Sequence, residues 1–369
     1  MSPQRLSHDA IDGLVRRIEG AIDRVGRPVR LMEVCGTHTM AIFRSGLRTV
    51  LPEGLELVSG PGCPVCVTPP AYLDRAIAIA RLDGVTIATF GDMIRVPGSA
   101  GTLERERARG ADVRVVYSTT DALSLARENP ARRVVFLAVG FETTAPGLAA
   151  TALAARREGL ENFLLLAAPK LIPPAMEAVL SGGAAIDAFL CPGHVSVIIG
   201  SSAYDQVARA HNVPCVVAGF EPPEILLGIA MAAEQLAAGR SEVEIAYRSA
   251  VRPEGNARAR AVMDEAFEAV DAEWRGLGVI RGSGLALREH LSAMDAAAAI
   301  DVELPSPSEP EGCRCGEVLA GLISPSECGL FGVACKPETP VGPCMVSSEG
   351  TCAAHFKYGL ASGTHGGRS

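Results

Sequence analysis

The chain of 369 residues has no uncharged apolar run of the ~18 residues that a membrane-spanning helix needs, so no membrane association is expected. It also lacks blocks of like charge. Lys and Arg number 34 against 42 Asp and Glu, the signs are interspersed, and the net charge is −8, which gives no surface for nucleic acid. There is no charged start followed by an apolar core and a cleavage site. Positions 1–27 instead read as an amphipathic helix with Ile11, Leu14, Val15, Ile18 and Ile22 on one side, so no export signal and a cytoplasmic location are expected. No G-x-G-x-x-G or P-loop follows an apolar run, and a nucleotide cofactor has no positive signal. Charged residues make up 21% and hydrophobic ones 48%, enough for two or three domains with cores of their own.

What the chain does have is cysteine, with 11 of them. Without an export signal a disulfide framework is disfavoured, and metal or redox chemistry leads. Cys35, Cys63, Cys66, Cys191 and Cys215 are spread through the first two-thirds, whereas Cys313, Cys315, Cys328, Cys335, Cys344 and Cys352 crowd the end.

From position 28 to about 230, short apolar runs end in Gly- or Pro-rich turns and lead into alanine-rich helical segments, the rhythm of an α/β protein. The runs are 29–34, 55–58, 85–90, 113–117, 134–139, 163–167, 188–190 and 215–218, most without polar alternation, as in buried parallel strands. Past their ends come Cys35 and His38, the Gly60–Cys66 turn, Asp92, Glu142, His194 and Glu221, which an open parallel sheet would gather on one rim. VGFE at 139–142 resembles AGFE at 218–221, which predicts two similar Rossmann-like lobes, 28–130 and 131–228. Helical spacing over 224–238 and 256–270, then a proline-rich break at 304–310, predicts a helical and cysteine-rich domain over 229–369, with an N-terminal helix at 5–25 packing on it.

The wide gaps among Cys328, Cys335, Cys344 and Cys352 suit an iron–sulfur cluster, a zinc site or redox thiols alone. Cys63 and Cys66 precede Pro69 and Pro70, where a helix dipole lowers a thiol's proton affinity; this favours a reactive pair over inert filler. Cys35 on a similar turn is expected as a thiolate, and His38 as a ligand or proton carrier, against a bland reading as buried turn residues. His194 carries the same two readings. Asp92, Glu142 and Glu221 are candidates to orient a histidine or hold water, while Cys191 and Cys215 read as core.

The strings MEVCGTHT (32–39), GPGCPVC (60–66), TFGDM (89–93), GFETTAP (140–146), CPGHVS (191–196), AGFEP (218–222) and PVGPCMVSSEGTC (340–352) resemble the HypD family of nickel–iron hydrogenase maturation proteins. The resemblance spans about 30–358. It implies two α/β lobes plus a 4Fe-4S domain, in a cytoplasmic scaffold that assembles iron carrying two cyanides and one carbon monoxide for the hydrogenase large subunit. Cys35 would then bind that iron with a cysteine of a small HypC-type chaperone, and a HypE-type partner would supply cyanide. The same resemblance makes Cys63 and Cys66 a redox pair and Cys328, Cys335, Cys344 and Cys352 the cluster ligands, and it matches His38, Asp92, His194 and Glu349 to functional motifs. Thr37 and Thr39 are expected to donate to cyanide nitrogens, and the three thiol groups are expected to meet in the fold as a relay. The competing readings are an iron–sulfur-dependent thiol–disulfide oxidoreductase and a zinc-stapled interaction protein.

Overall fold

The computed structural model describes residues 8–359. Its strands are β1 (Val29–Glu33), β2 (Leu55–Ser59), β3 (Val85–Thr89), β4 (Val113–Val115), β5 (Arg133–Gly140), β6 (Phe163–Pro169), β7 (Ala188–Pro192), β8 (Cys215–Ala218), β9 (Val243–Ile245), β10 (Phe267–Trp274) and β11 (Gly278–Leu287). β1 to β8 coincide with the eight apolar runs. The reason is visible in β5. Val134, Phe136 and Ala138 face one core with Leu148, Ala149 and Ala152 of the helix Ala145–Glu158. Val135 and Leu137 face the other, with Ala76, Ile77 and Ile79 of the helix Pro70–Ala80. A strand covered on both faces has no polar side, so its sequence runs apolar without interruption.

Two parallel sheets result, ordered β2-β1-β7-β8-β9 and β4-β3-β5-β6, each with helices packed on it in Rossmann-like fashion. The expected division at residues 130 and 228 does not follow them. The chain leaves the first sheet after β2, builds the whole second sheet, and returns as β7, whose Ala188 pairs with Leu31 of β1. Residue 130 therefore falls inside the second sheet, and β9 of the first lies beyond 228. Local patterning cannot show this, because every buried parallel strand looks alike and the partner is chosen by long-range crossover.

One further expectation is corrected. Helical character over 256–270 stops at Ala266, and Phe267 is already extended; β10 and β11 then form an antiparallel hairpin whose outer side carries Glu268, Asp271 and Glu273. The hairpin leans on the end of β6, where Leu171 N–H donates to Ser283 O at 2.9 Å. The N-terminal helix, His8–Val25, meets the start of the expected 229–369 unit and the first sheet together. Its Ile18, Ala21 and Ile22 pack with Val29 and Leu31 of β1 and with Ile225, Leu226 and Ile229 of the helix Pro222–Ala237, where Arg17 pairs with Glu234 at 2.9 Å. Residues 5–7 and 360–369 lie outside the described residues.

The cysteine-rich region holds short helices at Cys315–Leu319, Pro343–Val346 and Thr351–Ala354. It has no separate core: Cys315, Leu319, Cys344 and Met345 share one with Met32, Cys63, Cys66, Phe141 and Trp274. The region therefore sits on the carboxyl rims of both sheets. Among the described residues no helix is long and apolar enough to cross a membrane.

Candidate functional site

Cys35 leaves β1 in an extended conformation as the residue before the helix Gly36–Arg44. Two glycines let other segments close on it. A Cβ on Gly62 would stand 2.2 Å from the Cys35 nitrogen, and one on Gly36 would stand 2.6 Å from Glu349 Cβ. Gly36 N–H donates to Gly62 O at 2.9 Å, so the 60–66 turn is locked against the Cys35 backbone. Within that turn Cys63 and Cys66 are buried and joined as a disulfide, with Cα atoms 5.2 Å apart.

Cys35 itself is not the ready thiolate that its helix N-terminal position predicts. Although partly exposed, its thiol is ringed closely enough that desolvation pushes it up to about 12. The His38 and Thr37 amides favour the thiolate, but the Glu349 and Glu33 carboxylates add to the upward push. Glu33 is a residue that sequence reasoning missed. It is buried directly behind Cys35, accepting Cys35 N–H at 3.2 Å and the Thr39 hydroxyl at 2.5 Å, and burial lifts its carboxyl to about 7. Thr39 is thus engaged inward, and Thr37 donates to Glu349 at 2.8 Å, so each hydroxyl proton is already held by a carboxylate.

The two histidines come together through a third ring. His38 is buried, its Nε2 lies 2.8 Å from Gly219 O, and burial lowers its pKa to about 4, so it is neutral at physiological pH. With that nitrogen as donor, Nδ1 keeps a bare lone pair, and it has no partner among the described residues. Phe220 stacks on His38 at 4.6 Å and on His194 at 3.9 Å. His194 is pushed down by burial while Glu349 pulls the other way. The AGFEP string flagged this turn, but for Glu221; the side chain that touches the histidines is Phe220.

The three rim carboxylates are bonded elsewhere or exposed, not set against His38 or His194 among the described residues. Asp92 accepts from Ser348 N–H and the Ser348 hydroxyl, both at 2.8 Å, and from the Ser347 hydroxyl at 3.4 Å. Glu142 is buried and lifted to about 7 by desolvation; Oε1 accepts Ile172 N–H at 2.9 Å, and Oε2 has no partner among the described residues. Glu221 is exposed. Ser347, also missed, ties the site together: it bonds Asp92, lies 3.3 Å from Cys63 Sγ and accepts Glu349 N–H at 3.2 Å. Only its place in the string before Glu349 could have pointed to it.

Cys328, Cys335, Cys344 and Cys352 line one small cavity, joined there by Cys313 and Cys315 and walled by Leu330, Phe331 and Met345. Val341 N–H donates to Cys335 Sγ at 3.3 Å. Among the described residues no three His, Cys, Asp or Glu side chains converge on a single-ion site. The donor set fits a thiolate-bound cluster in kind: only sulfur, apolar walls, and a backbone amide aimed at a sulfur. Outside the cavity, the residue before its Cys344, Pro343, has its carbonyl 4.0 Å from Cys66 Sγ. Cys191 and Cys215 lie in the core on β7 and β8.

The family model HypD, described as the hydrogenase formation hypA family, matches residues 9–359. A hydrogenase maturation factor HypD of Escherichia coli is 47% identical over 334 residues, covering 90% of both chains. The factor of the same name from Azotobacter vinelandii is 47% identical over 341 residues, again with 90% of each chain covered. Hydrogenase maturation factor HypD2 of Bradyrhizobium diazoefficiens is 44% identical over 356 residues, 94% of this chain and 93% of the relative. With a family match over nearly its whole length, on the motifs that build this rim, the chain belongs to the HypD family of hydrogenase maturation factors.

Proposed function

We propose that the chain is a maturation scaffold whose cargo is an iron carrying two cyanides and one carbon monoxide, destined for the large subunit of a nickel–iron hydrogenase. The observation that carries this reading is the contact at Gly62, which places a lone thiol, Cys35, against the turn holding the Cys63–Cys66 disulfide. Low-spin Fe(II) is soft and suits thiolate donors. Cys35 offers one sulfur at a partly open position, so a second comes from outside, from a cysteine of a small HypC-type chaperone. A HypE-type protein supplies the cyanide, and assembly takes place in the cytoplasm. His38 and His194, stacked on Phe220, and Asp92 and Glu349, bonded through Ser348 and Ser347, would flank the cargo.

Cys328, Cys335, Cys344 and Cys352 would hold a 4Fe-4S cluster, which supplies electrons singly, whereas the Cys63–Cys66 couple takes two at a time. Anaerobic purification with the chaperone tests both parts. Cyanide and carbonyl infrared bands should be present in the complex and absent from its Cys35→Ala variant, while iron and acid-labile sulfide remain. Bands that persist in that variant sink the cargo site; absence of iron and sulfide sinks the cluster.

A second reading is favoured by the buried disulfide beside the cysteine cavity: a thiol–disulfide oxidoreductase. It requires turnover on a protein disulfide that depends on Cys63 and Cys66 and survives Cys35→Ala.

A further inference from the structure

Arg17, Arg81 and Arg127 each pair with a glutamate across the fold. Arg48 has no such partner. It stands in the short turn Leu47–Thr49 that follows the helix Gly36–Arg44. Among the described residues its guanidinium makes no hydrogen bond or ion pair, and its Nε is fully enclosed. A guanidinium stays charged and brings five N–H donors, so an enclosed one calls for an anion or for acceptors. Desolvation pulls Arg48 below the ordinary arginine value. Glu33 and Glu56 act on it through space, but both are engaged elsewhere. Glu33 accepts Cys35 N–H and the Thr39 hydroxyl, and Glu56 pairs with Arg30 at 2.9 Å. What Arg48 does have is the face of Phe43, 4.6 Å from the ring centroid, which steadies the charge and offers no oxygen to its N–H groups.

Arg48 lines two cavities. The inner one, about 60 Å³, has room for water only and is also lined by Glu56. The outer one is an open groove of about 750 Å³ between the end of the helix Gly36–Arg44 and the segments that carry Ser326 and His355. No carboxylate lines the groove among the described residues, while Arg44 lines it beside Arg48. Arg44 has a reason of its own for being there, since a cation in the last turn complements the helix dipole. Arg48 has none, so the inference rests on it. Two guanidinium groups without a carboxylate, in a chain of net charge −8, call for a dianion. A phosphate would offset both charges and match the guanidinium fork, whereas one carboxylate would leave a positive charge over. The volume leaves space beside it for an organic body.

We propose that this groove binds a phosphate group, free or as the ester of a small molecule, with Arg48 as its main contact and Arg44 as its second. The nine-residue helix puts it ~13 Å along the axis from the end that adjoins Cys35, so it is separate from the cargo site and does not rest on that reading.

The test is calorimetric titration of the full chain with inorganic phosphate and with phenyl phosphate, at constant ionic strength near neutral pH. Saturable binding is expected. Arg48→Gln should weaken it about tenfold or more, as loss of a charge-assisted bidentate pair does. Arg44→Gln, at an exposed position, should weaken it by a smaller factor, and Arg48→Lys should fall between, since it keeps the charge but not the fork. Tighter binding of phenyl phosphate assigns the rest of the groove to an organic body, and binding of phosphate alone assigns the site to the free anion; both uphold the Arg48 contact. No saturable binding of either, or unchanged affinity in Arg48→Gln, overturns the proposal. Thermal unfolding separates a ligand contact from a structural one. Without anion, Arg48→Gln should unfold at the wild-type midpoint or above, because it removes an unpaired cation. Phosphate should raise the midpoint of the wild type and leave that of the variant in place. A variant that fails to fold, or unfolds well below wild type, makes Arg48 a structural cation and overturns the proposal as well.

Discussion

VGFE at the end of β5 and AGFE at the end of β8 begin from nearly the same residues, yet they end in opposite environments. Phe141 is buried and stacks on Trp274 at 5.9 Å, whereas Phe220 is half-buried between two histidines. Glu142 is buried with one oxygen lacking a partner; Glu221 is exposed. The shared string specifies a strand that ends in a turn with a helix behind it. What lies beyond the turn decides the rest. The second sheet meets the β10–β11 hairpin there, which covers the turn, while the first sheet meets the partly open rim that holds Cys35. Of two similar halves, one serves packing and the other presents a site.

If that contrast is real, the two phenylalanines should fail differently. Phe141→Ala should cost about 3–5 kcal/mol in urea unfolding, the range for truncating a fully buried aromatic ring. Phe220→Ala should cost well under half of that, yet release both histidine rings, visible as line broadening in their NMR signals. Equal stability losses would erase the distinction.

The carboxylates separate next, through pH. Burial raises Glu142 to about 7, so the folded state holds its proton where the unfolded chain has lost it. The sign follows from linkage. This contribution is fully present below the unfolded value near 4.5 and is lost as pH rises through about 7. Glu142→Gln should therefore gain on the order of 1–3 kcal/mol relative to wild type at pH 8 and little at pH 5, by unfolding at both pH values. Glu33 carries the same slope and remains in both proteins, while His38, lowered to about 4, carries the opposite one, so only the difference between variant and wild type isolates Glu142. Glu221→Gln should be within about 0.5 kcal/mol of wild type at either pH.

Much of this was legible in advance, and the boundary is physical. The strands β1 to β8 announce themselves because both faces are buried. β9 is three residues with Glu244 at its centre, β10 is half-exposed and acidic, and β11 is interrupted by three glycines and Arg281, so none shows a continuous apolar run. Cys35, Cys63, Cys66, His38, Asp92, His194 and Glu349 were singled out by turn position and motif, and the fold brings their segments to the carboxyl rims of the two sheets. Phe220 and Ser347 were not, because what makes them notable is a contact far away in sequence; Glu33 was not, because it ends an apolar run and only the fold shows its carboxylate turned in beneath Cys35 and Thr39. Ser347 meets Cys63 across 284 positions, and no local pattern records that. The two α/β lobes were expected as successive segments because repeats usually follow one another; their interleaving is a matter of which strand β1 pairs with.

The cysteine-rich region bridges the halves unequally, and Asp92 measures that. On the second sheet Asp92 holds Ser347 and Ser348; on the first, Thr37 holds Glu349. Asp92→Ala removes a charged acceptor shared by three donors and should cost about 1–2 kcal/mol, with the Ser348 amide losing protection in hydrogen exchange. Thr37→Val removes one part-buried bond and should cost about 1 kcal/mol or less. A larger effect at Thr37 would make the first sheet the main anchor.

The smallest expected effect asks why the two turns differ at all. Aligned on the shared string, Glu224 stands where the second sheet has Ala145. Glu224 Oε2 accepts the N–H groups of Phe220 and Glu221 at 3.0 and 3.2 Å, in the first turn of the helix Pro222–Ala237, where the dipole also favours its charge. Ala145 gives the other turn no such acceptor, and the Glu142 side chain there turns inward to Ile172 N–H. One side chain thus frees Glu221 to point outward and fixes Phe220 between the histidines. Glu224→Ala should cost about 0.5–1 kcal/mol, the usual scale of a lost cap, and Glu224→Gln should recover most of it by keeping the acceptor. The more telling readout is at His194, whose ring signal should shift with Glu224→Ala though the two side chains are linked only through Phe220. An unmoved His194 would mean that Phe220 is held by its ring stacking alone, and that the difference between the two turns begins at the phenylalanine rather than at the cap.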